Sequence, residues 1–169
     1  GLQGLNATAV STLRRWFVEF VKGLGRRVRA HRDAAEGVFQ MTVVAHVLNS
    51  MGEQLEALQL YETVTAIREA ETDGDEVNTA VAQANLANTL QRLKRHAEAR
   101  PLLETVLPIF SRRLGTTHED TLKTRTRLAN CKRNLGDADG ARGDYEAVLA
   151  AMTTAIGPTH AETLKTQLN

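Results

Sequence analysis

Apolar side chains recur at helical spacing through the middle of the chain, most plainly at Val81, Ala84, Ala87, Leu90 and Leu93. Such spacing gathers one face of a helix and leaves the positions between it polar. A helix start is signalled ahead of that stretch by Asp73 with Glu76, and later by Thr117 with Asp120 and Thr159 with Glu162. In each pair a side-chain oxygen takes an orphan backbone N–H, and the acid three residues on takes another. Stops are written as Met51-Gly52 and Leu135-Gly136, where glycine tolerates the left-handed conformation that closes a helix. Lys94 stands in the equivalent place between them. After each stop a second helical stretch begins, with small Ala57, Ala99 and Ala141 followed one turn on by Tyr61, Leu103 and Tyr145. The alanines fit positions where two helices approach closely.

These elements repeat. LGTTHEDTLKTRTR at 114–127 aligns with IGPTHAETLKTQLN at 156–169, and seven of the fourteen positions are identical at an offset of 42. The same offset carries Leu86-Ala87 onto Leu128-Ala129, Ala99 onto Ala141, and Val106-Leu107 onto Val148-Leu149. One step back, Ala45, Met51, Ala57, Tyr61 and Val64 hold the register. A pair of helices that cannot bury its apolar face alone must stack on its neighbours, so the period predicts an all-α solenoid of helix hairpins. The expected division is a basic amphipathic segment over 1–32, a cap or docking element. It is followed by repeat units over about 33–72, 73–114 and 115–156, and a partial fourth over 157–169. Beginning without Met and stopping inside a helical pattern, the chain reads as a piece of something longer.

Charge changes this picture at one end. Residues 1–32 carry seven basic groups against the single acid Glu19, a net of +6, while the remainder holds fourteen basic and nineteen acidic groups, a net of −5. Within the head, Val10, Leu13, Phe17, Phe20, Leu24 and Val28 fall on one helical face with Trp16 and Val21 beside it. Arg14, Arg15, Lys22, Arg26 and Arg29 take much of the other side. Such a segment suits a cap over the first unit, or a docking helix built on Arg14, Arg15, Trp16, Phe17, Phe20 and Leu24 for a membrane surface, a partner helix or an acidic protein. Basic groups without a nucleic-acid motif give no reason to expect nucleic acid.

Composition adds exclusions. Only 4% of the residues are aromatic, so the core must be built from Leu, Val and Ala. The single cysteine, Cys131, excludes an internal disulfide and favours a reduced intracellular compartment over secretion. No apolar stretch approaches the roughly 20 residues of a spanning helix. His118 and His160 stand in matching repeat positions without a cysteine or carboxylate cluster around them, and read as structural residues of the inter-repeat turn. Cys131, between Leu128 and Leu135 on a repeat helix, reads as a packed thiol. No phosphate loop, nucleophile elbow or carboxylate pair is present, so the expectation is no enzyme, no cofactor, no metal and no small-molecule substrate.

The stretches NLANTLQRLKRHAEARPLLETVL (85–107) and LGTTHEDTLKTRTRLANCKRNLG (114–136) resemble the 42-residue tetratricopeptide repeats of kinesin light chains and nephrocystin-like proteins. The resemblance covers about residues 33–169, although Gly37 and Val38 depart from the Thr-Leu pair of its junction motif. It implies a right-handed superhelix and a non-catalytic protein-interaction scaffold. In that family the first helix of each unit lines a concave groove. The register then puts Asn85, Asn88, Gln91 and Arg92 there from the second unit, and Lys123, Thr126, Arg127, Asn130 and Arg133 from the third. His46 and Asn49 come from the first unit, Lys165 and Asn169 from the fourth. A surface rich in Asn, Arg and Lys fits an extended, acidic peptide. Asn85, Lys123 and Arg127 also match three of the five positions with which some co-chaperone relatives clamp a terminal carboxylate, while Thr42 and His46 replace the other two. The competing expectation is a structural subunit, built permanently into a large assembly through the basic head and the convex face.

Overall fold

Three helix stops spaced 42 residues apart set the frame. In the computed structural model Gly52, Lys94 and Gly136 all have positive φ, at 92°, 62° and 87°. After each, the next backbone N–H reaches back to a carbonyl five residues earlier, from Glu53 to Leu48, Arg95 to Leu90 and Asp137 to Lys132, every one at 2.9 Å. The left-handed residue itself donates three back, to Asn49, Gln91 and Arg133. These paired bonds satisfy carbonyls that a helix end leaves without partners, and they turn the chain sharply enough to start an antiparallel helix.

The structure describes residues 35–71 and 75–156, together with Thr12, Arg15, Trp16, Val18, Glu19, Phe20, Lys22 and Gly23. Among them the regular elements are six helices in three pairs, with no strand. They are α1 (Ala35–Met51) with α2 (Gln54–Ala70), α3 (Glu76–Arg92) with α4 (His96–Arg113), and α5 (Glu119–Asn134) with α6 (Ala138–Ile156). The isolated head residues are also helical. By contact the chain divides into two compact units, Gly1–Ala70 and Glu71–Asn169.

In the first unit α1 packs along α2. Its core holds Val38, Met41, Ala45 and Leu48 from α1 and Ala57, Leu60, Tyr61 and Val64 from α2. The head is fastened to this pair. Val18 is buried, and the Lys22 ammonium reaches Glu53, just ahead of α2, at 2.8 Å and Glu56 in the first turn of α2 at 2.9 Å. Those two carboxylates hold the Lys22 pKa above its usual range. Lys22, read from the sequence as part of a solvent-facing basic side, is thus an anchor, and Val18 is the buried contact that the apolar pattern missed.

In the second unit the pairs α3–α4 and α5–α6 stack through α4 and α5, with α3 also touching α5. Ala80, Ala84, Val106 and Phe110 form one core cluster, edged by Val77, Ile109 and Leu114. The repeat register is visible in burial across both units. Ala45, Ala87 and Ala129, then Ala57, Ala99 and Ala141, then Val64, Val106 and Val148 are all at most 3% exposed. Alanine at a crossing permits the close approach, and the valine two turns on fills the widening space. Ion pairs close the hairpin ends, Arg112 to Glu76 at 2.6 Å and Lys132 to Asp144 at 2.7 Å.

The helix starts correct the sequence reading in detail. Asp75 caps α3 by accepting the Val77 N–H at 3.0 Å, where Asp73 had been expected. Residue 118 caps α5, its Nδ1 accepting the Asp120 N–H at 3.2 Å, in place of Thr117. His118 is structural as anticipated, but as an exposed cap. Val81 is 40% exposed, so it lies off the buried face of α3. The Thr159–Glu162 signal, the fourth unit over 157–169 and Arg14, Phe17 and Leu24 of the head lie outside the described residues.

Candidate functional site

Helices α3 and α5 are the first helices of successive hairpins and run in the same direction, since the antiparallel α4 lies between them. Gln91 joins them. Its side-chain Nε2 donates to the Arg127 carbonyl at 2.6 Å and to the Cys131 sulfur at 2.9 Å. Gln91, one of the residues expected along the groove, thus links α3 to α5. Cys131 beneath it is buried, and that burial raises the thiol pKa, which keeps the sulfur protonated and unreactive.

Asn88 and Asn85 lie on α3 about one and two turns before Gln91, so they share the side of α3 that meets α5. Both are half-buried. Arg127 is half-buried on α5. Burial lowers the pKa of its guanidinium, the Asp120 carboxylate opposes the shift, and the group stays charged. Among the described residues, the side chains of Asn85, Asn88 and Arg127 form no hydrogen bond or ion pair. A partly desolvated cation and two amides, all with donors to spare, therefore border the α3–α5 seam. Val81, one turn before Asn85, adds an exposed methyl surface that the sequence reading missed. The signal was available, because the equivalent position one repeat on is the polar Lys123.

The remaining expected residues sit differently. Lys123 is exposed and pairs with Glu119 one turn back on its own helix, so its charge is partly neutralised. Asn130 is committed to its hairpin, its Oδ1 accepting the Tyr145 hydroxyl at 2.7 Å and the Arg133 guanidinium at 3.2 Å. Arg92 and Arg133 are exposed in the last turns of α3 and α5, where a cation also offsets the helix dipole. Thr126 returns its hydroxyl to the Leu122 carbonyl at 2.9 Å. In the first unit His46 is exposed and Asn49 is buried. Lys165 and Asn169 lie outside the described residues.

Stacked helix hairpins with a 42-residue period and left-handed stops in register define an α-helical repeat protein. The family model for the tetratricopeptide repeat matches residues 39–112 and again 78–151, and the chain belongs to that family. No curated protein is similar enough in sequence to match it. Among solved structures it is similar to a kinesin-light-chain-like protein of Podosopora anserina with nearly identical repeats, at 22% identity and a TM-score of 0.68, covering 89% of this chain and 72% of that one. It is also similar to BtubC (BKLC) of P. vanneervenii, at 19% identity and a TM-score of 0.64, covering 88% of this chain. The tetratricopeptide domain of Arabidopsis FLU follows at 20% identity and 0.61, covering 69% of this chain and 95% of that domain. This chain spans 59% of the length of BtubC. These likenesses concern the fold, which is that of kinesin-light-chain-type repeats.

Proposed function

We propose that the chain is a non-catalytic scaffold that binds an extended, acidic peptide along the α3–α5 seam, with Arg127 receiving a carboxylate. A tetratricopeptide fold itself speaks for a protein-interaction scaffold. The finer reading rests on one observation, that Arg127 is a half-buried guanidinium without an ion-pair partner among the described residues. A cation that has already given up part of its hydration gains more from an incoming carboxylate than an exposed one does. Asn85 and Asn88 would hold the peptide backbone through their free amides, and Val81 would cover an apolar side chain. Lys123 supplies a weaker contact, because a ligand must compete with Glu119 for it.

Selection from a library of displayed random peptides tests this. Peptides with Asp or Glu at a fixed position should be enriched on the wild-type chain, and the enrichment should vanish on Arg127→Ala. It should persist on Arg142→Ala, a control at an exposed site on α6. No acidic preference, or the same preference on Arg127→Ala, would overturn the reading.

A further inference from the structure

Gln91 commits the nitrogen of its side-chain amide to α5, where it donates to the Arg127 carbonyl at 2.6 Å and to the Cys131 sulfur at 2.9 Å. A backbone carbonyl can only accept, so the amide nitrogen, and not the oxygen, must face α5. The Oε1 atom diverges from that contact. Among the described residues it has no hydrogen-bond partner, and it is not enclosed. Gln91 therefore carries an acceptor whose direction is fixed before any ligand arrives. Asn85 and Asn88 differ, because nothing among the described residues bonds their half-buried amides and orients them. The neighbouring repeats supply no second acceptor of this kind. Arg133 stands in the equivalent place on α5 and carries only donors, while Asn49 in the equivalent place on α1 is buried.

The cations and freely turning amides of the seam suit the carboxylates and carbonyls of an extended peptide. A peptide backbone also brings N–H groups, and each one that loses its water needs an acceptor. Position ties the Gln91 acceptor to the acidic residue. Gln91 lies against the turn of α5 from Arg127 to Cys131, whereas the Arg127 side chain leans over the turn before its own Cα. One helical turn is about 5.4 Å, a length that an extended chain running along the seam covers in roughly two residues.

We infer that Gln91 is a ligand-binding residue of the seam, its Oε1 accepting a peptide backbone N–H about two residues from the acid that Arg127 receives. This rests on the peptide reading of the α3–α5 seam and adds to it a fixed register for the bound backbone. Calorimetric titration of the best selected acidic peptide tests it, alongside analogues in which one backbone N–H at a time is replaced by an ester oxygen. On the wild-type chain one such ester, about two residues from the acid, should weaken binding by roughly 3- to 10-fold, the size of one hydrogen bond. On Gln91→Met, which keeps the side-chain length and removes the amide, the same ester should cost less than about twofold. Replacing the acid by its amide should keep its full penalty on both proteins, since Arg127 is intact in each.

A residue that only links the helices would lower the affinity of every analogue alike. An ester penalty of equal size on wild type and Gln91→Met would therefore overturn the inference, as would a wild-type scan with no sensitive ester near the acid. Amide exchange in the wild-type complex checks the same contact without a variant. The N–H picked out by the scan should exchange at least about tenfold more slowly than in the free peptide, and unchanged exchange there would also overturn the inference. Loss of the acid dependence itself on the wild type would instead bring down the peptide reading of the seam, and the role of Gln91 with it.

Discussion

Gly136 and Lys94 occupy the same left-handed position of two successive hairpins, and exchanging their chemistry should move stability in opposite directions. A Cβ added at Gly136 meets nothing within 4 Å, so any cost of Gly136→Ala comes from the backbone at φ 87° alone. A left-handed residue with a Cβ costs about 1–2 kcal/mol. The loss of glycine's freedom in the unfolded chain returns roughly 0.4–1 kcal/mol of that. The net expectation is a loss of about 1 kcal/mol for Gly136→Ala. Lys94 already bears that strain at φ 62°, and it is exposed. Lys94→Gly should therefore stabilise by roughly 0.5–1 kcal/mol, less any small favourable contact of the ammonium with the helix end. For a body the size of Glu71–Asn169, 1 kcal/mol corresponds to about 4–8 °C in Tm. Urea denaturation of both variants followed by circular dichroism measures the effects, and a midpoint shift at unchanged slope marks a change in stability alone. Two losses of equal size, or no change in either, would refute the account of the left-handed stop as the element that fixes each hairpin.

Other outcomes follow from burial. Ala99 is fully buried on α4, so Ala99→Leu should overpack the crossing and cost roughly 1–3 kcal/mol in thermal denaturation; an unchanged Tm would mean that the position faces solvent. Burial raises the Tyr61 phenol pKa from 10.0 up to about 12. Below pH 10 both folded and unfolded states hold that proton, and between pH 10 and 12 the unfolded chain loses it first, so stability should fall by up to about 2–3 kcal/mol across this window. Tyr61→Phe should remove that part of the alkaline loss, and parallel pH profiles for variant and wild type would contradict the burial of the hydroxyl.

The fold was legible because a repeat writes the same instruction several times. Ala57, Ala99 and Ala141 carry one packing constraint, and the stops at 52, 94 and 136 carry one backbone constraint, so even Lys94 was identified by position where its residue type gave no signal. Local choices were less legible. Asp73 and Asp75 are both competent caps, as are Thr117 and His118, and the one used depends on where the preceding turn releases the chain. Side-chain partners were the least accessible. Tyr145 reaching Asn130 and Gln91 reaching Arg127 and Cys131 span 15, 36 and 40 residues of sequence. The period says that these residues lie near neighbouring helices, but it does not say which of two polar residues turns inward. That is why, of the expected groove residues Asn85, Asn88, Arg92, Lys123, Arg127, Asn130 and Arg133, the period could not tell that Asn130 bonds within its hairpin and Lys123 pairs with Glu119, while Asn85, Asn88 and Arg127 are half-buried without such partners among the described residues. In the head, the apolar pattern gave no hint that Lys22 would be the anchor, since its partners Glu53 and Glu56 lie about thirty residues on, at the start of α2.

The central claim is that Arg127 is a carboxylate receptor, and calorimetric titration of the best selected acidic peptide into wild type, Arg127→Ala and Lys123→Ala tests it most directly. A charge-assisted hydrogen bond contributes about 1.5–3 kcal/mol, so Arg127→Ala should weaken binding by roughly 10- to 150-fold. Lys123→Ala should weaken it by only a few fold, as befits an exposed ion pair. Replacing the peptide's acidic residue by its amide should cost the wild type about as much as Arg127→Ala does, and should cost that variant little more. An affinity unchanged by Arg127→Ala, or a larger loss through Lys123→Ala than through Arg127→Ala, would contradict the account.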